Sequence, residues 1–167
     1  MGDTRLHPAV HAVFTTEQGV YGVILVSGLV TIAGRHEDDP FTVFVIVGFT
    51  VVVFWIAHVY AGTVARYGFQ AERHLRLRDA IRKSLWESLP MLTSAAIPSV
   101  FLLLGALGVL EEDTAIWWAL WIGVVVLAVL GWIAFARRGA PWYIRVLGSA
   151  ITAMFGIVMI LLKAFVH

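Results

Sequence analysis

The sequence predicts an all-α protein, an integral membrane bundle of five transmembrane helices with a short amphipathic surface helix between spans two and three. Three observations carry this. Of 167 residues, 60% are hydrophobic and 14% charged, whereas soluble domains carry roughly 25% charged residues. The segment 41–63, FTVFVIVGFTVVVFWIAHVYAGT, holds no Asp, Glu, Lys or Arg, and ~20 such residues suffice to cross the ~30 Å hydrocarbon core. Finally, charge alternates between the connections, basic in two of them and acidic in the other two. At this length the chain reads as a single membrane domain, residues 1–167. It has no cysteine, which removes disulfides, iron–sulfur clusters and thiolate metal sites from consideration.

Taken in order, residues 1–11 are polar and contain Pro8, and the first span falls within about 12–34. The N-terminus lacks the basic start, short apolar core and small-residue cleavage site of a signal peptide, so this span is expected to be retained. Its uninterrupted part, 18–34, is short for a crossing, and extending it backwards brings Glu17 into the helix near one membrane face. Gly19, Gly22, Ser27, Gly28 and Thr31 offer places for close helix approach. The connection RHEDDP, 35–40, is acidic, and Pro40 suits the first turn of the second span, 41–63.

The most charged stretch follows. Between Arg66 and Glu87 stand Arg73, Arg76, Arg78, Arg82 and Lys83, interleaved with Leu75, Leu77, Ile81, Leu85 and Trp86. This pattern suits an amphipathic helix lying at the membrane surface, with the basic residues against anionic lipid headgroups. Nucleic acid is the rival partner for such a run, but its place between two spans argues against it. Span three covers about 85–110 and contains Pro90 and Pro98, which free backbone carbonyls and predict a kink. The acidic triplet Glu111–Asp113 leads to span four, 114–136, and a loop with Arg137, Arg138 and Arg145 leads to span five, 143–166. Lys and Arg collect in cytoplasmic loops, so the N-terminus is expected inside and the C-terminus outside, in the plasma membrane.

Two further features concern how the helices are placed. Gly148, Thr152 and Gly156 recur every four residues on span five and form a small-residue face for another helix, either in the same chain or in a second copy as a homodimer. Trp117, Trp118, Trp121 and Trp132 in span four, with Trp142 after it, fit interfacial anchors better than a ligand-stacking box.

With that topology Glu17, His58 and Glu87 fall at similar depth in the inner leaflet, on three different spans, with Tyr60 close by. An ionisable group inside a membrane calls for a functional explanation, and a His–carboxylate group shares a proton or holds a cation, such as a divalent metal ion. Met91 is a soft ligand within reach of Glu87, although a lone methionine in a span is ordinarily packing. Neighbouring antiparallel spans one and two are expected to bring Glu17 and His58 together, directly or through one water or ion. The plainer reading handles each separately, with Glu87, one turn after Lys83, paired to the arginines of the 2–3 loop.

Hydrolase and nucleotide motifs are absent: there is no H-E-x-x-H, no G-x-S-x-G and no Gly-rich loop ending in Lys-Ser/Thr. Enzymatic activity is therefore not expected. Two function classes remain. One is a small transporter or exchanger of a cation or proton using Glu17, His58 and Glu87. The other is a scaffold or regulatory subunit that binds a partner protein or anionic lipid through its basic loop.

The segments AAIPSVFLLLGALGVL, 95–110, and LAVLGWIAFARRGAPWYIRVLGSAITAMFGIVMILL, 127–162, resemble the third to fifth spans of the vacuolar iron transporter family. The resemblance implies a five-span bundle with the N-terminus inside, and a divalent metal ion as cargo. That family carries its metal on an Asp-Gly element in span one and a Gly-Glu-Tyr element ending span two. The residues near those places here are Glu17-Gln18-Gly19 and Ala57-His58-Val59-Tyr60.

Overall fold

The computed structural model describes residues 8–33, 39–69 and 76–166. Among them the chain forms α1 (Pro8–Ala33), α2 (Pro40–Val64), a π-helical turn (Ala65–Phe69), α3 (Leu77–Ala106), α4 (Glu112–Ala136) and α5 (Trp142–Val166). Phe41–Tyr67, Leu77–Ala106, Glu112–Ala136 and Trp142–Phe165 are long and apolar enough to cross a membrane. The protein is thus an all-helical, multi-pass membrane protein with four such helices among the described residues. The apolar part of α1, Glu17–Ala33, is shorter.

The helix ends follow from local chemistry. Asp39 caps α2 by accepting from the backbone N–H of Phe41 and Thr42, both at 3.2 Å, and from the Thr42 hydroxyl at 2.8 Å. Pro40 stands in the first turn, where its missing N–H costs nothing. Asp39 is held below the usual carboxylate range by these hydrogen bonds, that from Thr42's side chain first and that from Phe41's backbone next. The α3 and α4 C-termini close alike. Gly108 (φ 70°) and Gly139 (φ 69°) take the left-handed conformation. The N–H of the following residue reaches back, Val109 to Leu104 O at 2.9 Å and Ala140 to Phe135 O at 3.3 Å. This six-to-one bond defines a Schellman stop, where a side chain bearing Cβ is strained.

In place of a separate surface helix, the basic stretch from Leu77 onward is the first part of α3 and runs unbroken into its apolar part. Arg73 lies outside the described residues. Helix α3 passes through Pro90 and Pro98 without interruption, and Pro98 is fully buried. Hydroxyls bond to backbone carbonyls along this stretch, Ser88 to Ser84 O at 2.6 Å and Ser94 to Met91 O at 3.2 Å.

Helix α1 packs against all four others. Its buried residues, Val23, Val26, Ser27, Val30 and Thr31 among them, recur at three- and four-residue spacing, the signature of one continuous inner face. Where α1 crosses α3 the backbones nearly touch. A Cβ on Gly22 would fall against the Met91 carbonyl and 2.9 Å from Ser94 Oγ, and Ser94 donates to Gly19 O at 2.8 Å. Helix α2 is peripheral. It buries the stripe Val43, Val47 and Val51 and leaves Phe49, Val53, Phe54 and Ile56 outward, as suits a helix facing lipid on most sides.

The small-residue face of α5 finds its partner within the chain. Gly148 lies under the Phe135 ring, and a Cβ on Gly156 would stand 2.8 Å from Val124 Cγ2. Thr152 donates to Leu127 O at 2.9 Å. Gly131 on α4 answers them, its Cβ position 2.8 Å from Gly148 O. Gly148, Thr152 and Gly156 therefore join α5 to α4.

Candidate functional site

At the start of α3 the chain turns from extended backbone at Arg76 into helix at Leu77. Arg76, Arg78, Asp79 and Arg82 line an open groove of about 500 Å³ there. All four are exposed. Arg78 and Arg82 are one helical turn apart and so share a face, and the guanidinium fork suits bidentate contact with phosphate oxygens. Leu77, Ile81 and Trp86 are exposed on the same stretch, giving the groove an apolar shoulder suited to the headgroup boundary. Lys83 is half-buried and does not line the groove.

Further along α3, a polar clasp ties the end of α2 to α3. Arg66, in the π-helical turn, pairs with Glu87, and its guanidinium donates to Ser84 Oγ at 2.5 Å and to Gly62 O at 3.3 Å. A Cβ on Gly62 would stand 3.2 Å from both the Arg66 guanidinium and Ser84 Oγ, so the glycine makes room for the pair. Glu87 thus has its counter-charge inside the chain.

Glu17, His58 and Glu87 do not form a group that could hold a metal ion among the described residues. Glu17 is exposed on α1, and His58 and Tyr60 are exposed on α2. Helix α2 leans mainly on α3, less on α1, and Val51 and Trp55 lie toward the bundle while Phe54 and His58 lie outward. Chain direction does not set the rotation of each helix about its own axis. Met91 is buried, its backbone pressed on Gly22.

The structure also reveals buried polar groups that carried no functional weight in the sequence reading. Gln18, Ser27, Thr31 and Lys163 are each less than one-tenth exposed. Thr31 Oγ1 donates to Ser27 O at 2.8 Å and to Met159 O at 3.4 Å. Gln18 Oε1, Ser27 Oγ and Lys163 Nζ have no hydrogen-bond partner among the described residues. Lys163 was detectable as an ionisable residue inside the fifth apolar run, the criterion that singles out His58.

No family model, curated protein or solved structure matches the chain.

Proposed function

We propose that this multi-pass membrane protein binds anionic lipid headgroups in the arginine groove that opens α3, acting as a membrane-bound scaffold on the cytoplasmic face. The observation that carries the reading is the clustering of Arg76, Arg78 and Arg82 around one groove at the polar end of an apolar helix. Arg137 and Arg138 are exposed in the α4–α5 connection, which the chain path brings to the same end of the bundle. The exposed Leu77, Ile81 and Trp86 supply the apolar contact that accompanies headgroup binding.

The magnitude follows from charge. A basic residue near an anionic surface contributes about 1 kcal/mol, so three arginines opposed by Asp79 supply about 2 kcal/mol, or roughly a thirtyfold preference over zwitterionic lipid. The test is lipid retention by the purified full chain, measured by native mass spectrometry in mixtures of phosphatidylglycerol and phosphatidylcholine. The Arg76→Gln/Arg78→Gln/Arg82→Gln variant is expected to lose most of the anionic preference while keeping its helical circular dichroism. Inorganic phosphate is expected to compete weakly. Unchanged preference in a folded triple variant, or saturable binding of inorganic phosphate without lipid preference, would overturn the reading.

A further inference from the structure

At the end of the bundle opposite the arginine groove, α5 carries a lysine that points the wrong way for a solvated charge. Lys163 is 3% exposed, although it lies in the last turn of its helix. A lysine so close to a membrane boundary normally extends its stem to water. Here the Cα–Cβ bond, tilted toward the helix N-terminus as in every α-helix, leads the stem back into the bundle. Nζ comes to rest over the Trp117 indole of α4, 5.4 Å from the ring centroid.

The indole face attracts the ammonium electrostatically but accepts no conventional hydrogen bond, and an ammonium has three N–H donors to satisfy. Nζ has no hydrogen-bond partner among the described residues. Asp113, in the first turn of α4, acts on it through charge. On the α1 side, the Thr31 hydroxyl contacts Met159 O, one turn before Lys163. Thr31 therefore lies at the level to which the lysine stem descends. One turn deeper on α1, the buried Ser27 hydroxyl, unlike that of Thr31, has no partner among the described residues.

We propose that Lys163, between α1, α4 and α5, anchors a binding site for a small monovalent anion, a halide or a short carboxylate, with the Trp117 ring as one wall. The chemistry is that of a desolvated ammonium with unsatisfied donors beside an aromatic face. A compact anion satisfies the donors and cancels the charge together, which a water molecule does not. Trp117, by covering the ammonium, limits the size of what enters. This site is independent of the headgroup groove and stands or falls separately.

The test uses the full chain in zwitterionic nanodiscs, titrated with sodium bromide or sodium acetate against a bulky sulfonate at constant ionic strength. The wild type is expected to show a saturable rise in Tm, and saturable bromide quenching of a fluorescence component that Trp117→Phe removes. Lys163→Met, which keeps the apolar stem, is expected to fold, to be at least as stable in sulfonate, and to lose both responses. Equal bromide and acetate responses in Lys163→Met, or none in the wild type, would overturn the proposal. The competing source of an anion is the chain itself, since Asp113 acts on Lys163 through charge. A response that appears only in Asp113→Asn would assign the lysine to that carboxylate and overturn binding of an external anion.

Discussion

Replacing Gly22 by alanine tests the close crossing of α1 and α3. The added methyl meets the Met91 carbonyl, and Ser94 Oγ at 2.9 Å. The serine can rotate, but the carbonyl belongs to the backbone of α3, so relief requires α1 and α3 to separate. Overpacking of this kind costs about 1–3 kcal/mol. Separation also stretches the bond from Ser94 to Gly19 O, now 2.8 Å, and interhelical hydrogen bonds in membranes average about 0.6 kcal/mol. Against this, alanine in a helix interior is favoured over glycine by about 1 kcal/mol. The net expectation is a loss of about 1–2 kcal/mol. Gly48→Ala is the matched control, because nothing lies within 4 Å of its Cβ position; it keeps the propensity gain without the clash. Equilibrium unfolding in mixed micelles by added dodecyl sulfate, followed by circular dichroism, measures both. Two variants of equal stability, or a stabilised Gly22→Ala, would refute the close crossing of α1 and α3.

Two other perturbations have defined outcomes. Glu87→Gln removes the counter-charge of Arg66, whose guanidinium stays lodged against Ser84 and Gly62; a loss of about 1.5–3 kcal/mol is expected, and a double-mutant cycle with Arg66→Gln should return most of it as coupling energy. The α2 cap gives a pH dependence. Because Asp39 is held below its ordinary value when folded, its contribution is fully present above that ordinary value and is lost as pH falls through the lower folded one. Asp39→Asn, a good cap without a titrating charge, should lack this acid-side decline in thermal unfolding scans.

The Glu87 pairing shows how far local sequence reaches. A carboxylate one turn from Lys83, beside a run of arginines, was bound to meet a cation, and Arg66 supplies it across the turn that joins α2 to α3. The Asp39–Pro40 start of α2 is equally local, since an acceptor side chain and a residue without an N–H suit a helix N-terminus in any tertiary setting. Where Glu17 and His58 stand was less legible, for the complementary reason: both are exposed, and with Glu87 they form no metal-holding group among the described residues. Chain direction sets depth, but which face a helix turns inward depends on which neighbours its whole length can pack against. Helix α2 settles on α3 through Val43, Val47 and Val51, and that choice leaves His58 outside.

By itself, the sequence determined a helical, multi-pass membrane protein, because runs of apolar residues longer than a bilayer is thick admit few other structures. It also determined where basic side chains gather, since charge and spacing are properties of the chain alone. Tertiary structure alone decided that the Gly148–Thr152–Gly156 face packs on α4 within the chain, that the basic stretch from Leu77 continues as α3, and that Lys163 folds inward over Trp117. Each of these depends on the azimuth and offset of one helix against another, which arise from close packing between residues far apart in the chain.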